Sequence, residues 1–433
     1  MSTLTPVQPQ LLSQINERSV LRLLQTNGPC SRAEMTRQIG ATAPTVSKAV
    51  ASLLRSGLLE EFDAAEPSRG RPARRLRLAT KTAQVLGLVI DAGSCQIVSA
   101  CLDGHVHADS GITFRTPDTY DELLTRVCDY ATALTERAGV RTLGMGISMP
   151  GLIDSRDQKG LLSPNLPITD GHSPGIDLSQ RLGLQTILVH ECQGQCLAER
   201  HFGDAAETEN FVILDATIGL GLGAFSGGRL QVGSGGYAGE IGHVPMIPDG
   251  LACGCGRHGC LETMASDSAF TRLLSQRLGH PCDIDSVVEQ ARAGEIDVSD
   301  ELDALIPHLA TAVAIAINLF NPERLYVCSK LFDLGDHVLA RLIEQTESRA
   351  LRPSFRDCRI SRARGSKREG AVAAIIEHLT ESRVRGCEQL ARHNFSGFTR
   401  PDGCFRRSEV GPEQGQNTTP FLERSLGSHN SGS

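Results

Sequence analysis

One histidine and three cysteines that lie close together are the clearest chemical signal in this 433-residue sequence. They are His243, Cys253, Cys255 and Cys260, and glycines between the cysteines allow a tightly folded loop. Three thiolates and one imidazole form a closed tetrahedral ligand set that suits structural Zn²⁺. His258 lies inside the same loop and is an alternative fourth ligand on spacing alone. Because such a set leaves no position for an activated water, we expect a structural metal.

The composition indicates a folded chain of two or three domains. Apolar residues make up 40% and charged residues 21%, and no apolar run reaches the roughly 18 residues of a membrane span. The N-terminus lacks the basic start and apolar stretch of a secretory signal. Fourteen cysteines without an export signal favour reduced thiols and a metal over disulfides. We therefore expect a cytoplasmic protein.

The charge is divided unevenly along the chain. Residues 1–82 hold 12 basic against 6 acidic residues, whereas the remainder holds 31 against 44. A basic N-terminal module on an acidic body suggests an anionic partner for that module, and nucleic acid is the first candidate.

The N-terminal module has the pattern of a winged helix-turn-helix. Three amphipathic helices are predicted, over about 16–25, from Ser31 to Gly40, and from Thr42 to Gly57. Ser31 and Glu34 have capping-box spacing. Two period-two stretches, 58–62 and 75–78, are typical of a β-hairpin wing.

On this interpretation the third helix is the recognition helix, and the tip of the wing can enter a minor groove. The candidate DNA-contacting residues are Thr42, Thr45, Ser47 and Lys48 on the helix and Arg69 and Arg71 at the tip. A trihelical protein-interaction module with the same core pattern is the alternative.

From about residue 84 the pattern changes to alternating strands and helices, which indicates an α/β body. Buried-strand patterns cover 85–91, 97–102 and 143–148, and a helical pattern covers about 119–138. After residue 378 this pattern fades into a polar, Arg-, Gly- and Ser-rich segment. We predict domains over 1–82 and 83–382, and a disordered extension over 383–433.

Five short stretches of the body, in order along the chain, resemble the ROK family of repressors, open reading frames and sugar kinases. They are 144–151 (GMGISMPG), 163–167 (SPNLP), 218–223 (IGLGLG), 239–243 (GEIGH) and 253–262 (CGCGRHGCLE). The resemblance implies a two-lobed, actin-like (ribonuclease-H-like) ATPase fold. With the N-terminal module, the chain is similar to the repressor branch, which regulates genes of glucose, N-acetylglucosamine and xylose use.

The resemblance also implies site residues. It favours His243 over His258 as the metal ligand. It places a sugar pocket at Asn165, Glu191, Glu240, His243 and Glu262, and Glu191 holds the position where family kinases carry the catalytic Asp. Since His243 belongs to both sets, a metal there would couple the order of the loop to the pocket.

The kinase chemistry of the family is degraded in this sequence. The phosphate-binding turn Asp-x-Gly-Gly-Thr-Lys is replaced by Asp91-Ala92-Gly93-Ser94-Cys95-Gln96. At the base position, Glu191 extends the carboxylate by roughly 1.5 Å, and a misplacement of that order costs about 10²-fold in rate. The Gly219–Gly223 run is intact, but close packing selects glycine too. We therefore do not expect ATP and Mg²⁺ as cofactors.

These observations predict a sugar-responsive transcriptional regulator. The expected partners are operator DNA, a sugar or sugar phosphate inducer, a second or further copies in a homodimer or homotetramer, and a sugar-transporter protein. The rivals are an ATP-dependent sugar kinase with a DNA-binding head and an adaptor that uses its N-terminal helices for protein contact.

Overall fold

The N-terminal head is built from three helices that bury one apolar core. In the computed structural model, which describes residues 9–62, 74–136 and 139–394 (side chains over 13–62, 74–136 and 139–380), these helices are α1 Pro9–Asn27, α2 Arg32–Ile39 and α3 Ala43–Arg55. Ser31 and Glu34 form the predicted capping box, and Gly40 ends α2 in the left-handed conformation. The head core includes Val20, Met35, Val50 and Leu53, which are fully or almost fully buried. The three predicted helices are confirmed, and α1 is longer than expected.

The wing is also present. Strands β2 Leu59–Phe62 and β3 Arg75–Leu78 pair antiparallel, and β1 Cys30–Ser31 adds to the free edge of β3. The alternation of Arg75-Leu76-Arg77-Leu78 buries both leucines in the head core. The hairpin prediction is confirmed, while its tip at 63–73 lies outside the described residues.

The head is joined to the body by packed residues. Ala79 is fully buried, and Ala83 and Leu102 of the body belong to the same apolar cluster as the head core. The amide of Leu102 donates to the Ala79 carbonyl (3.2 Å). Side chains of α1, including Leu21 and Arg22, line a cleft together with Leu197 and Arg200 of the body. The predicted boundary at residue 82 therefore falls inside a packed junction.

The first lobe has a five-stranded sheet in the order β10-β7-β4-β5-β6. The strands are β4 Ala83–Ile90, β5 Ser94–Ala100, β6 Ile112–Arg115, β7 Arg141–Met149 and β10 Gln185–His190, and the small hairpin β8 Leu152–Asp154 and β9 Lys159–Leu162 stands apart. Strand β4 is buried along its whole length because both faces of the sheet are covered. The covering helices α4 Tyr120–Thr135 and α5 Pro174–Leu182 pack against each other, and α6 Glu191–His201 leaves the lobe directly after β10.

The second lobe repeats the five-stranded plan in the order β13-β12-β11-β14-β15. Its strands are β11 Phe211–Asp215, β12 Gly221–Ser226, β13 Arg229–Leu230, β14 Arg324–Cys328 and β15 Arg359–Arg362. Its helices are α7 Asp267–Leu278, α8 Ile284–Arg292, α9 Ser299–Phe320, α10 Asp336–Glu347 and α11 Arg352–Asp357.

Helix α9 forms the centre of the second lobe. Within the described part of the chain, it is the one helix long and apolar enough to span a membrane by length and composition. Its apolar side chains, among them Leu305, Leu309, Val313 and Ile317, are buried in the largest core cluster. We interpret α9 as a core helix of the lobe.

The last helix, α12 Lys367–Asn394, returns from the second sheet to the first. Glycines make room for it, because a Cβ on Gly146 would lie 1.8 Å from the Ala371 carbonyl oxygen and one on Gly87 would lie 2.8 Å from Val372. The backbone is helical to Asn394. The expected extension over 383–433 stays a prediction. Residues 395–433 lie outside the described residues.

Candidate functional site

The four predicted metal ligands converge. The ligand atoms of His243, Cys253, Cys255 and Cys260 all lie within 4.8 Å of one another. The Cys255 and Cys260 sulfurs are 3.8 Å apart, and the Cys253 sulfur is 3.6 Å from His243 Nδ1. A tetrahedron with Zn–S bonds of about 2.3 Å has edges of about 3.8 Å, so the residues fit Zn²⁺.

The backbone of the loop explains why the sequence folds into this cluster. Bridges between Pro245 and Cys260 and between Ala252 and His258 close the loop into a double turn. Gly259 has φ 70°, and a Cβ there would lie 1.7 Å from the Ile247 carbonyl oxygen. His258 is exposed and does not join the cluster, so the geometry agrees with His243 as the imidazole ligand.

His243 faces the cysteines with one ring nitrogen and a carboxylate with the other. Its Nε2 lies 3.7 Å from Glu240 Oε2, while its Nδ1 faces Cys253. Metal-binding histidines commonly direct their second nitrogen toward a carboxylate that orients the ring. Glu240 occupies that position, which supports the expected link between the metal-binding loop and the sugar pocket.

Glu240 also faces His190, which the sequence analysis had not included in the pocket. His190 Nε2 lies 3.9 Å from Glu240 Oε1, and its Nδ1 accepts from the Cys192 amide (3.3 Å). Burial lowers the pKa of His190, so its ring is neutral and carries its proton on Nε2, toward Glu240. The pair presents a donor and an acceptor across a gap wider than a hydrogen bond.

Glu262 directly follows the loop and lies beside Cys253. Its Oε2 accepts from the Leu220 amide (3.2 Å), and its Oε1 lies 3.7 Å from the Cys253 sulfur. A Cβ on Gly219 would lie 2.8 Å from that carboxylate and 4.0 Å from Asn165 Nδ2. The structure thus brings Asn165 and Glu262 together at Gly219, with the Asn165 side chain exposed.

The remaining glycines of the 219–223 run are explained by packing. A Cβ on Gly221 would lie 2.6 Å from the Cys192 sulfur, and one on Gly223 would lie 2.4 Å from the Cys192 carbonyl oxygen. Because β12 lies directly against α6 at these positions, the glycines need no phosphate to account for them.

The fifth predicted sugar residue, Glu191, lies in an ion pair. Its Oε2 is 2.6 Å from Lys367 Nζ, and the same ammonium is 2.9 Å from Asp91 Oδ2. Burial raises the pKa of Glu191 to about 7, although Lys367 acts in the opposite direction. Burial also opposes the charge on Lys367, but Glu191, Asp215 and Asp91 together raise its pKa well above the ordinary value. Lys367 therefore remains an ammonium.

The altered phosphate-turn segment forms a tight strand connection. Asp91 accepts from the Ala92 amide, and Ser94 begins β5. Cys95 is fully buried, and its sulfur lies 3.5 Å from Thr116 Oγ1. The residue at the position of the family threonine thus points into the lobe.

The DNA-contact candidates at the start of α3 lie outside the head core. Thr42, Ser47 and Lys48 are exposed and Thr45 is half-buried, whereas Val46, Ala49 and Val50 face the core. The Thr42 and Thr45 hydroxyls are 2.8 Å apart, which fixes the first turn of α3. Arg69 and Arg71 lie outside the described residues, so their role remains a prediction.

These features define a class of protein: a two-lobed domain of the sugar-kinase type that carries a Cys₃His loop and a winged helix-turn-helix head. The model of the ROK family matches residues 87–378, and the chain therefore belongs to the ROK family. A model of winged helix-turn-helix DNA-binding domains matches residues 14–60.

Two related proteins match most of the chain in sequence. The DNA-binding transcriptional dual regulator NagC of Escherichia coli (strain K12) is 27% identical over 357 residues, which are 80% of this chain and 87% of NagC. The xylose repressor of Bacillus subtilis (strain 168) is 23% identical over 379 residues, 86% of this chain and 97% of the repressor.

Solved structures agree with this assignment. A ROK family transcriptional regulator, a homolog of the E. coli Mlc protein, is 25% identical with a TM-score of 0.74, and the match covers 87% of this chain and 98% of that chain. A ROK family glucokinase from Streptomyces griseus, solved with glucose and AMPPNP, is 24% identical with a TM-score of 0.61 and covers 68% of this chain and 98% of that chain. The second likeness shows the fold alone.

Proposed function

We propose that this protein is a sugar-responsive transcriptional regulator that binds operator DNA through α3 and the wing. The observation that carries the proposal is the exposed polar face of α3 on a winged helix-turn-helix, packed onto a ROK domain. Small hydroxyl groups and a lysine at the start of a recognition helix suit contacts with phosphates and base edges. The regulators among the relatives support the same conclusion.

A gel-shift titration tests DNA binding. The protein is titrated against DNA from its own upstream region at increasing salt. We expect binding that is strongest at low salt and weakens linearly in log Kd against log salt, since phosphate contacts release counterions. Absence of binding at low salt would favour the adaptor role.

For the ligand site, we propose a sugar bound at Asn165, Glu240, His243 and Glu262. The support is the convergence of these groups around the Cys₃His loop, with His190 opposite Glu240. A sugar hydroxyl placed between His190 and Glu240 can accept a hydrogen bond from His190 and donate one to the half-buried Glu240 carboxylate.

A thermal-shift screen of free and phosphorylated sugars tests the pocket. A sugar present at a hundred times its Kd stabilises the folded state by about 2.7 kcal/mol. Glu240→Gln is expected to abolish the shift, whereas Glu209→Gln on the surface is expected to keep it. An equal shift in both variants would place the sugar elsewhere.

We further propose that the loop holds Zn²⁺ through His243, Cys253, Cys255 and Cys260. Bound Zn²⁺ would cross-link the loop, and its effect would reach the sugar pocket through His243, whose ring lies beside Glu240.

The protein acts in the cytoplasm, where operator DNA and imported sugars meet. We propose that it works as a homodimer or homotetramer, since paired heads match half-sites about one or more helical turns apart. A sugar-transporter protein remains a proposed partner.

The kinase alternative is favoured by one observation, the fold shared with the S. griseus glucokinase. A coupled assay with ATP, Mg²⁺ and a panel of hexoses separates the two functions. We expect no turnover, whereas rates of about 1–100 s⁻¹ would identify an enzyme.

A further inference from the structure

Lys367 lies where two altered elements of the kinase chemistry meet. It contacts Asp91, which follows β4 at the position of the phosphate-binding turn, and Glu191, which holds the position of the kinase base. The three side chains are 13–18% exposed, so all of them are largely withdrawn from water. Asp91 is 276 residues away from Lys367 in sequence, so the contact exists only in the folded chain.

The backbone holds this lysine in place from two directions. Helices α6 and α12 touch at Gly194 and Gly370, where a Cβ on Gly370 would lie 2.7 Å from the Gly194 carbonyl carbon. Each glycine is the fourth residue of its helix, so the contact sets the first residues, Glu191 and Lys367, beside each other. A capping box fixes the start of α12, because Ser366 Oγ accepts from the Glu369 amide and Glu369 Oε2 accepts from the Ser366 amide.

The positive charge of Lys367 needs negative charge nearby to be stable at this position. Its charge is buried, and it lies at the positive end of the α12 dipole, so both surroundings oppose the ammonium. Three acids offset this: Asp91 and Glu191 by direct contact, and Asp215 through its charge. Equally, the acids need a cation, because buried carboxylates without one repel each other. In phosphoryl-transfer sites a divalent metal bound to the nucleotide phosphates fills such a need.

We propose that the Lys367 ammonium is a built-in cation that replaces the metal–nucleotide complex in the cleft where Asp91, Glu191 and Lys367 meet. The cleft is then held together without Mg²⁺ or ATP and is closed to both. Lys367 also bridges the first lobe and both helices that connect the lobes, so this ion-pair cluster sets their arrangement while the sugar pocket is free to act as a sensor. The inference concerns the cleft and does not depend on DNA binding.

The full-length protein and its Lys367→Ala variant test this. Binding of Mn²⁺ is followed by electron paramagnetic resonance, and thermal unfolding is measured with and without 5 mM Mn²⁺ or Mg²⁺–AMPPNP. We expect wild type to show no shift with either at about 5 mM, although a ligand with a Kd a hundred times lower would stabilise the folded state by about 2.7 kcal/mol. The variant is expected to lose about 5 °C or more in Tm and to recover about half of the loss in Mn²⁺.

Lys330→Ala is the matched control, because Lys330 pairs with Asp285 on an exposed part of the second lobe. It is expected to change Tm by less than about 2 °C and to gain no response to Mn²⁺. A clear shift of wild type with Mg²⁺–AMPPNP, or a Lys367→Ala variant that folds but ignores Mn²⁺, would overturn the proposal.

A second variant keeps the test decisive if Lys367→Ala fails to fold. Glu191→Gln combined with Lys367→Met removes one acid together with the cation. We expect this double variant to fold with a Tm closer to wild type, and its failure to fold would show that charge balance is not the role of Lys367. A gel shift on wild type, run in parallel, separates failure of this inference from failure of the proposed function.

Discussion

The carboxyl group of Asp267 is buried, and its burial affects how the stability of the protein depends on pH. It is 4% exposed at the start of α7, and it accepts from Ser329 Oγ (2.6 Å) and the Lys330 amide (2.8 Å). Burial raises its pKa from 3.8 to about 7, although both hydrogen bonds act in the opposite direction. Its protonated form therefore favours the folded state.

We predict that Asp267→Asn flattens the pH dependence of stability. Because the folded pKa is raised, the stabilising contribution of Asp267 is complete below about pH 4 and is lost as the pH rises through 7, by up to about 1.4 kcal/mol per pH unit. Asn imitates the protonated acid, since its amide donates to Ser329 and its oxygen accepts from Lys330. Tm measured from pH 4 to 8 checks this. The exposed Asp285→Asn should parallel wild type, and parallel curves for Asp267→Asn as well would contradict the prediction.

Cys255 belongs to the metal cluster, and its replacement tests the link between the loop and the sugar pocket. Cys255→Ser is expected to lose bound zinc, measured by mass spectrometry of metals, and also the sugar-induced thermal shift, because a disordered loop no longer holds His243 against Glu240. Cys282→Ser is the control, since Cys282 lies outside the cluster and contacts the His280 carbonyl oxygen. If Cys255→Ser kept both zinc and the sugar response, the coupling would be refuted.

For individual residues, the sequence predicted the site residues that lie close together in the chain and missed contacts between residues that are far apart in it. The metal ligands lie within 18 residues of one another with glycines between them, so their convergence followed from spacing. Lys367 meets Asp91 across 276 residues, and no pattern near either residue indicates the pair. His190 was not among the predicted pocket residues, because its approach to Glu240 depends on how the lobes meet.

Helix α3 is the element on which DNA recognition rests. We predict that Lys48→Ala weakens binding about uniformly across operator sequences and lowers the salt slope by about 1, since one phosphate contact is lost. Stability should change little because Lys48 is exposed. The control is Lys330→Ala in the second lobe. Unchanged DNA affinity of Lys48→Ala over the full salt range would remove Lys48 from the interface.

The helices and strands of the head were predictable because the sequence contains a capping box and a clear alternation of apolar and polar residues. The Ser31–Glu34 capping box and the alternation at 75–78 both lie where the sequence placed them. A disordered extension was predicted from residue 383 because residues 381–394 hold few apolar side chains and lack a clear core-facing stripe. Their Glu, Arg, Gln, Leu and Ala content is nevertheless rich in helix formers, and propensity continues a helix that packing has already started.

At the scale of the whole molecule, Glu60 ties the wing to residues 80–82, the segment that leads into the body. Its carboxylate on β2 accepts from Arg77 Nε (2.6 Å), Thr80 Oγ1 (2.9 Å) and the Lys81 amide (3.2 Å). Burial alone would raise the pKa of Glu60, but the hydrogen bonds from Lys81, Arg77 and Thr80 together lower it. The wing is therefore tied to the segment that enters β4, while α6 reaches from Glu191 in the cleft to Arg200 beside α1.

We predict that Glu60→Ala uncouples sugar binding from DNA binding. The loss of a buried, multiply bonded carboxylate costs about 3 kcal/mol and loosens the junction. We expect operator affinity without sugar to stay within about threefold of wild type, and the sugar-dependent change in affinity to shrink, as measured by fluorescence anisotropy. Glu61→Ala is the control, because Glu61 pairs with Arg32 and Arg74 within the head. An undiminished sugar effect in Glu60→Ala would disprove the coupling route.

The shared core of head and body also sets a rule for protein engineering. A chimera that exchanges DNA specificity by cutting at residue 82 would leave Ala83 and Leu102 facing a foreign core, with a mismatch in volume at the seam. A graft should therefore either carry these two residues and their neighbours along with the transplanted head or repack them to suit the new donor. The junction of a chimeric regulator should therefore be chosen from the packing between head and body, and not from the predicted domain boundary at residue 82.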